Sequence, residues 1–591
     1  MRITPRFVVP PVIVALVLTA PLTSFAQRAP VEAEHGIVAS VHGLASEAGV
    51  EIMKKGGNAV DAAVATGFAL GVVFPYAGTI GSGGFMMIHL ADGRDVAIDY
   101  REVAPAAASR DMYVGPDGKL IAGPGSSTVG WRASGVPGAV AGFALAFEKY
   151  GSGKVTWAEV IEPARRLAAE GHIVSQGTAN SLKEYGKRFE QFPEFKRIFL
   201  AGGAGLKPGE LWRQPDLAAT LARIQQNGPR EFYEGETARL IAAGMAQNGG
   251  TISLADLKNY RAVERTPLRG TYRGYEIVTM PPPSSGGIAL LQMLGMLEPF
   301  DVHALGFNSA AKYHLFTEVM RRAFRDRVEF PGDPAFVPVP VAGLLDRAYL
   351  ASLMKNYDPA KATPSAGLAP GSPAGWTPPA AAVQQERRAE LAAESTETTH
   401  FSIIDAAGNA VANTYTLNGA YGSGVTIPGT GILMNNEMDD FTSKIGEKNM
   451  YGLIQGAANA IAPGKRPLSS MTPTFVLRDG KLAFATGSPG GPTIINTVFE
   501  IITNIIDHRM NIVQAVDAPR FHHQWMPDVM FYEHYSISPD TVALLKAQGH
   551  ILLERENVIV GDGETVALDP ATGLRLGVSD LRKPDSRTVG Y

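Results

Sequence analysis

The sequence predicts an α+β fold of layered sheets clad in helices. Three observations carry this: tight hairpins sit towards both ends of the chain, a long helical stretch separates them, and a further helix follows the last hairpin. From Ala45 to Val73 the chain is alanine-rich with helical spacing, Ile52 and Met53 fall on one turn, and Gly56-Gly57 stops a first helix before a second begins near Ala59. Phe85 to Leu90 and Asp95 to Tyr100 then read as strands joined by Ala91-Asp92-Gly93-Arg94, where Asp-Gly supplies the positive φ of a tight turn. Residues from about 135 to 355 are dominated by helical periodicity, as in Ala139 to Tyr150, Trp157 to Glu170 and Ser309 to Arg325. The hairpin device returns twice: Phe401 to Asp405 and Ala410 to Leu417 flank Ala407-Gly408-Asn409, and Thr474 to Arg478 and Lys481 to Thr486 flank Asp479-Gly480.

The composition narrows the function. At 591 residues, 45% hydrophobic and 19% charged, the chain is neither disordered nor a small stapled domain, and its length allows up to about four domains of ~150 residues. Lys+Arg 53 against Asp+Glu 57 gives a net charge of −4 with no run of five like charges, so nothing forms the basic footprint that nucleic acid requires. The absence of cysteine removes disulfides, thiolate zinc sites, iron–sulfur clusters and a cysteine nucleophile. Any nucleophile is an oxygen or a nitrogen.

Residues 1–26 read as a secretory signal peptide: Arg2 and Arg6, a short apolar run broken by Pro10, Pro11 and Pro21, then Ser24-Phe25-Ala26 as a small-x-small cleavage pattern. Val12 to Ala20 is far short of the ~20 apolar residues that span a bilayer. An uncleaved anchor is the alternative. Cleavage after Ala26 removes two arginines and no acid, taking the net charge from −4 to −6. The expectation is an exported, soluble protein of a bacterial periplasm.

From Asp358 to Glu397 the chain is rich in Pro, Ala and Gly and then in Glu and Arg, with almost no strand signal. It ends abruptly at Thr398-Thr399-His400-Phe401-Ser402, where a buried strand begins. Composition alone reads the segment as an interdomain linker. It also suits a chain cut between Glu397 and Thr398, and a threonine that becomes an N-terminus is chemically attractive. Its α-amino group, with a reference pKa of about 7.7–8.0, accepts the hydroxyl proton, so one residue supplies nucleophile and base. Alternation along the pairing strand would put Thr416 and Asn418 on one face, within reach of Thr398.

Further segments look like ligand sites, although each also reads as an ordinary turn or polar loop. Gly487-Ser488-Pro489-Gly490-Gly491-Pro492 leads from a strand into a helix, and free N–H groups at Gly490 and Gly491 would form an oxyanion site. Asn435-Asn436-Glu437-Met438-Asp439-Asp440, after an apolar strand from Gly431 to Met434, would suit an ammonium. Ser469-Ser470 would suit a carboxylate. Asp439 and Asp440 lack metal-loop spacing, and His522-His523 alternate across a strand and read as structural. Gly78 to Gly84 is a turn, since it lacks the dinucleotide glycine spacing.

Together these segments resemble the gamma-glutamyltransferase (gamma-glutamyl transpeptidase) family, from about Ala39 to the C-terminus. The resemblance rests on Thr398-Thr399-His400-Phe401-Ser402, Thr416-Leu417-Asn418, Asn435 to Asp440, Asp99-Tyr100-Arg101-Glu102, Pro281 to Gly287, Pro467 to Met471 and Gly490-Gly491. It implies an N-terminal-nucleophile hydrolase fold, an αββα sandwich. It also implies a precursor that cuts itself into a large fragment of about 27–397 and a small one of 398–591 that stay associated as a heterodimer.

By the same resemblance Thr398 is the nucleophile, Thr416 its activating hydroxyl, and Gly490 and Gly491 the oxyanion donors. Arg101, Ser469 and Ser470 hold the glutamyl α-carboxylate, and Asn418, Glu437 and Asp440 surround its α-amino nitrogen. Residues 443–464, with Tyr451, resemble a lid loop. The implied reaction is attack on a γ-glutamyl amide such as glutathione, followed by hydrolysis or transfer to an amino acid or dipeptide acceptor, with no metal or organic cofactor. Two alternatives stand beside it: a glutaryl-cephalosporin acylase of the same superfamily, and an exported binding protein that never matures.

Overall fold

The computed structural model describes residues 28–376, 398–556 and 559–591. Two seven-stranded sheets, each antiparallel throughout, form its centre. The first runs from edge to edge as Arg587–Gly590, Ile37–Ser40, Thr399–Ile404, Ala410–Thr416, Gly83–His89, Asp95–Asp99 and Val263–Arg265. The second runs as Val31–Ala33, Arg575–Ser579, Glu564–Leu568, Lys481–Thr486, Thr474–Arg478, Tyr275–Thr279 and Leu268–Tyr272.

Side-chain alternation sorts each strand's residues into layers. Phe401 and Ile403 face outward, with Met86, Ile88 and Val411, onto the helices Ala59–Val73 and Ala139–Tyr150. Ile404, Phe85, Met87 and Ala412 face inward and meet Phe475, Leu477, Ala485 and Val566 of the second sheet. The outer face of that sheet, including Ile277, Val476 and Phe484, packs on Gly286–Leu297, Ala310–Glu329 and Thr493–Ile506. The result is helix, sheet, sheet, helix, the αββα sandwich.

Each sheet mixes strands from before residue 377 with strands from after residue 397. Ile37–Ser40 pairs with Thr399–Ile404, Gly83–His89 with Ala410–Thr416, and Tyr275–Thr279 with Thr474–Arg478. A chain cut between these two parts would therefore remain joined by hydrogen-bonded ladders and a shared core.

The Ala59–Val73 helix shows why the first layer is so alanine-rich. Asn58 caps it, accepting from the N–H groups of Val60 and Asp61, while Asp61 accepts from the N–H of Asn58. Every residue of the helix is buried, so small side chains are needed on all sides. A Cβ at Gly67 would lie 2.5 Å from the Phe143 ring, which packs edge-on against Phe68 and Tyr415.

Three differences from the sequence reading have physical causes. The stretch read as wholly helical contains the hairpin Leu268–Tyr272 and Tyr275–Thr279, whose turn uses Arg273 (φ 50) and Gly274 (φ 83) and carries neither Asn-Gly nor Asp-Gly. The helix expected to stop at Arg325 continues to Glu329. Most of its charged residues are buried, which hides its amphipathic pattern. Finally, residues 358–376 are not loose. Ser365 is fully buried, its N–H donates to Asp528 at 2.8 Å and its carbonyl accepts from Trp525 Nε1 at 3.0 Å, while Trp376 packs edge-on to Phe330. Side-chain anchors hold this segment, and composition does not reveal them. The expected cleavage residue Glu397 and the expected signal peptide lie outside the described residues, among which no helix is long and apolar enough to cross a membrane.

Phe143 joins two helices to the first sheet and is fully buried. Phe143→Ala should lower the unfolding free energy by about 3–5 kcal/mol. The expected readout is a lower urea midpoint with an unchanged slope.

Candidate active site

The ladder between Thr399–Ile404 and Ala410–Thr416 pairs Thr399 with Tyr415. One step further along, Thr398 meets Thr416, and their hydroxyl oxygens lie 3.2 Å apart. Thr398, His400 and Ser402 share the inward face. The His400 ring is hydrogen-bonded to Thr414 Oγ1 at 2.8 Å and to Ser402 Oγ at 3.0 Å, and Ser402 donates across the sandwich to the Glu564 carbonyl. Burial lowers the His400 pKa to about 3, so the ring is neutral and serves as a tie between strands.

Thr416 Oγ1 also accepts the N–H of Asn418 at 2.9 Å. Asn418 is not on the strand, as the alternation argument supposed. The strand ends at Thr416, and Asn418 turns the chain in the left-handed region (φ 77), where asparagine is tolerated better than most residues. Its amide donates to the Asn436 carbonyl at 3.1 Å.

Across the gap, Lys481–Thr486 runs through 487–491 into the helix Thr493–Ile506, with Pro492 as its N-cap residue. Gly490 and Gly491 both have positive φ (127 and 56), and neither amide N–H has a hydrogen-bond partner among the described residues. The positive end of the helix dipole lies behind them. These are the attributes of an oxyanion site.

A narrow cavity joins these parts: Thr398, Thr416, Asn418 and Gly491 line it together with Asp440, Ser469 and Ser470. Tyr451 closes one side. It belongs to the 443–464 loop, donates its hydroxyl to the Asn418 carbonyl at 2.6 Å, and lies 3.0 Å from where a Cβ on Gly491 would stand. The same loop is pinned by the Met450 N–H on Asp439 at 2.9 Å and by the Asn449 amide on Asp440 at 3.3 Å.

Arg101 follows the strand Asp95–Asp99 and is fully buried. It forms ion pairs with Glu437 and with Asp440 (2.5 Å), lies 3.8 Å from Glu102, and donates to the Pro467 and Leu468 carbonyls. Burial alone would lower the guanidinium pKa, but Glu437, Asp440 and Glu102 outweigh it and raise it overall. Two of the acids, Glu102 and Glu437, are also raised, which in their case favours the neutral form. Burial pushes Glu102 up to about 8 and Glu437 well above the carboxylate range, against the pull of Arg101, because three carboxyl groups share one guanidinium.

This geometry alters two expectations. Arg101 is bonded to two of the acids that the sequence reading placed in a separate ammonium group. Glu437 stands behind Arg101, fully buried, and does not line the cavity. The preceding segment, read as an apolar strand from Gly431 to Met434, forms only an isolated bridge, Thr426 with Leu433, followed by a single helical turn Glu437–Asp440. That turn sends adjacent acids apart: Asp440 to the cavity, Asp439 to Ser127 Oγ at 2.6 Å and the loop N–H of Met450. Asn435 is a structural brace between Gly81, Gly135 and Glu437. His522 is held by Asn496 and Gln524, and His523 by Asp528, each kept neutral by burial at about 3 and 4.

One cavity residue was missed altogether. Arg327, on the last turn of Ala310–Glu329, lines the cavity and donates to Ser285 Oγ at 2.8 Å and Ser470 Oγ at 2.9 Å. Extending the Ser309 helix by one turn would have brought it into view.

A family model described as gamma-glutamyltranspeptidase matches residues 45–590. The chain is 46% identical over 567 residues to the glutathione hydrolase proenzyme of Escherichia coli (strain K12), covering 95% of this chain and 93% of that one. It is 38% identical over 550 residues to the acylase ACY 1 proenzyme of Pseudomonas sp. (strain V22), with 92% of each covered. Among solved structures, a cephalosporin acylase from Bacillus halodurans superposes with a TM-score of 0.82 at 27% identity, over 98% of this chain and 99% of that one.

Asp439 generates a pH prediction. Burial raises its carboxyl to about 6 despite the bonds from Ser127 and Met450. Because the folded-state pKa lies above the unfolded one, the folded state holds the extra proton between about pH 4 and 6. This stabilisation is complete below the unfolded pKa and is lost as pH rises through 6. Asp439→Asn should abolish that fall, flattening the dependence of stability on pH across this window by about 2–3 kcal/mol. Urea titrations at pH 4 and pH 7 of both proteins measure it.

Proposed function

The chain belongs to the gamma-glutamyltranspeptidase family, and we propose that it is a self-processing enzyme that cleaves γ-glutamyl amides such as glutathione with Thr398 as nucleophile. The observation that carries this reading is the 3.2 Å contact of Thr398 Oγ1 with Thr416 Oγ1 in a cavity shared with Asp440, Ser470 and Gly491. Cleavage between Glu397 and Thr398 frees the threonine α-amino group, which takes the hydroxyl proton near neutral pH. Thr416, itself held by the Asn418 N–H, orients that hydroxyl.

The Thr398 oxygen attacks the γ-carbonyl. The oxyanion meets the N–H groups of Gly490 and Gly491, each such donor lowering the barrier by about 2.7–4 kcal/mol. The proton held on the α-amino group passes to the departing amine, which for glutathione is cysteinylglycine. The resulting glutamyl ester is resolved by water or by an amino acid or dipeptide acceptor. Asp440 and Asn418 face the substrate ammonium, and Ser469, Ser470 and the Arg101 group its α-carboxylate. No step asks for a metal or an organic cofactor.

The shared ladders favour fragments of about 27–397 and 398–591 remaining a heterodimer. The composition of residues 1–26 supports export to the periplasm. Relatives named as acylases share the scaffold. The reading as a glutamyl enzyme therefore rests on Asp440, which is paired with Arg101 yet lines the cavity, where its carboxylate favours a ligand that carries an ammonium over one that lacks it.

On a denaturing gel the purified protein should give two bands, the smaller beginning at Thr398, and Thr398→Ala should remain one chain. A Thr398→Ala protein that still splits at this bond would sink the autocatalytic account. The mature enzyme should turn over a γ-glutamyl anilide at least about a hundredfold more efficiently than the glutaryl anilide, a difference of roughly 2.7 kcal/mol. Asp440→Asn should shrink that ratio by harming the glutamyl substrate. A wild-type preference for glutaryl would move the chain to the acylase branch.

A further inference from the structure

An α-carboxylate entering this cavity needs a positive charge that is not already committed. Arg101 lines the cavity but is already heavily engaged. Its Nη1 is paired with Glu437, its Nη2 with Asp440 and the Leu468 carbonyl, and its Nε with the Pro467 carbonyl, while Glu102 lies 3.8 Å away. Around this one guanidinium the carboxyl groups are in surplus.

Arg327 is the second guanidinium of the cavity, and it is only partly engaged. Its Nε donates to Ser285 Oγ and its Nη2 to Ser470 Oγ, its Nη1 is buried with no hydrogen-bond partner, and it forms no ion pair among the described residues. Burial lowers its pKa to about 10, Asp440 lies close enough to favour the charged form, and the group stays charged at neutral pH.

The two serines share a polarity that follows from their donors. Ser470 Oγ already accepts from Arg327, and Ser469 Oγ already accepts from the Met471 N–H at 3.1 Å. Each oxygen receives one N–H, and neither hydroxyl donates its hydrogen to another group among the described residues, so both hydrogens are available to an acceptor in the cavity. Ser285, which receives Arg327, donates its own hydrogen to the Ser469 carbonyl at 2.6 Å and so holds the serine loop against the Arg327 helix.

We propose that Arg327 is a specificity-determining residue for the substrate α-carboxylate: it anchors the Ser470 oxygen, whose hydrogen stays available to donate, and adds the positive charge that Arg101, committed to Glu437 and Asp440, does not supply alone. This inference rests on the glutamyl reading of the cavity. It adds a residue from the Ala310–Glu329 helix, which the sequence motifs leave out.

The test compares two competitive inhibitors of the mature enzyme that differ only in the carboxylate: L-glutamate and 4-aminobutanoate. In Arg327→Gln, normalised to the fraction of chain cut, inhibition by glutamate should weaken at least thirtyfold, with a parallel rise in KM for the γ-glutamyl anilide and kcat within about threefold. Inhibition by 4-aminobutanoate should change less than twofold, whereas a merely structural role would weaken both inhibitors alike. Arg327→Lys, which keeps the charge, should recover part of the glutamate affinity. A crystal structure of the wild-type enzyme with L-glutamate serves if the variants do not mature. It should place an Arg327 nitrogen within hydrogen-bond distance of the α-carboxylate, and a guanidinium more than about 5 Å away overturns the proposal. If the wild type neither cleaves the anilide nor binds glutamate, the functional reading falls and this inference with it. If the wild type does both and Arg327→Gln treats the two inhibitors as the wild type does, the Arg327 proposal alone is overturned.

Discussion

The register of one hairpin governs the rest of the structure. Pairing Thr399 with Tyr415 puts Thr398 and Thr416 side by side in the space between the sheets. A slip of the Ala410–Thr416 strand by one residue would turn Thr416 towards the helices and present Tyr415 to the cavity instead. Packing on both faces forbids that slip. On the helix side, Tyr415 donates to the Gly67 carbonyl at 2.8 Å and packs edge-on against Phe143. On the inner side, His400 bridges Thr414 and Ser402, and Ser402 reaches the opposite sheet. The close approach of the two hydroxyls is therefore a consequence of core packing, made by residues that do not line the cavity.

A second constraint is electrostatic. Burying Arg101 among Glu102, Glu437 and Asp440 is a poor way to gain stability, since desolvation offsets most of the attraction. What the cluster does is fix charge in place before a ligand arrives. Arg101 joins two distant parts of the chain: it follows a strand of the first part, and its partners Glu437 and Asp440 come from the part after residue 397. The raised pKa values of Glu102 and Glu437 express the cost of this surplus acid, paid as protons retained and not as unfolding.

Much of this was legible in the sequence because local rules governed it. The strands Thr474–Arg478 and Lys481–Thr486 and the helices Ala139–Tyr150 and Trp157–Glu170 match their expected bounds, since Asp-Gly turns and helical periodicity act within a dozen residues. The hydroxyls of Thr398 and Thr416 could be brought together by strand pairing alone. What stayed hidden depends on distant partners. Neither the burial of Glu437 behind Arg101, nor the parting of Asp439 from Asp440, nor the anchoring of Ser365 by Asp528 and Trp525 follows from spacing. Arg327 was invisible for a simpler reason: a helix with most of its charges buried does not show a polar face, so its last turn could not be delimited.

The sandwich itself does not choose a substrate. A cephalosporin acylase shares nearly the whole fold at 27% identity, so discrimination must lie in the few side chains that line the cavity. Here the cavity has two chemically opposite walls. Ser469 and Ser470, their oxygens already receiving N–H donors, offer hydrogens outward and suit an anion. Asp440, beside Asn418, suits a cation. A carbon bearing one ammonium and one carboxylate satisfies both walls at once, whereas a ligand with the carboxylate alone would leave Asp440 facing a second negative charge in a confined space. The same asymmetry orients the ligand, because exchanging the two substituents would set like charges against each other on one wall and donor against donor on the other. On the proposed reading, a ligand whose α-carbon is held in this way would have its γ-carbonyl left to meet Thr398 and the N–H groups of Gly490 and Gly491, which have no hydrogen-bond partner among the described residues.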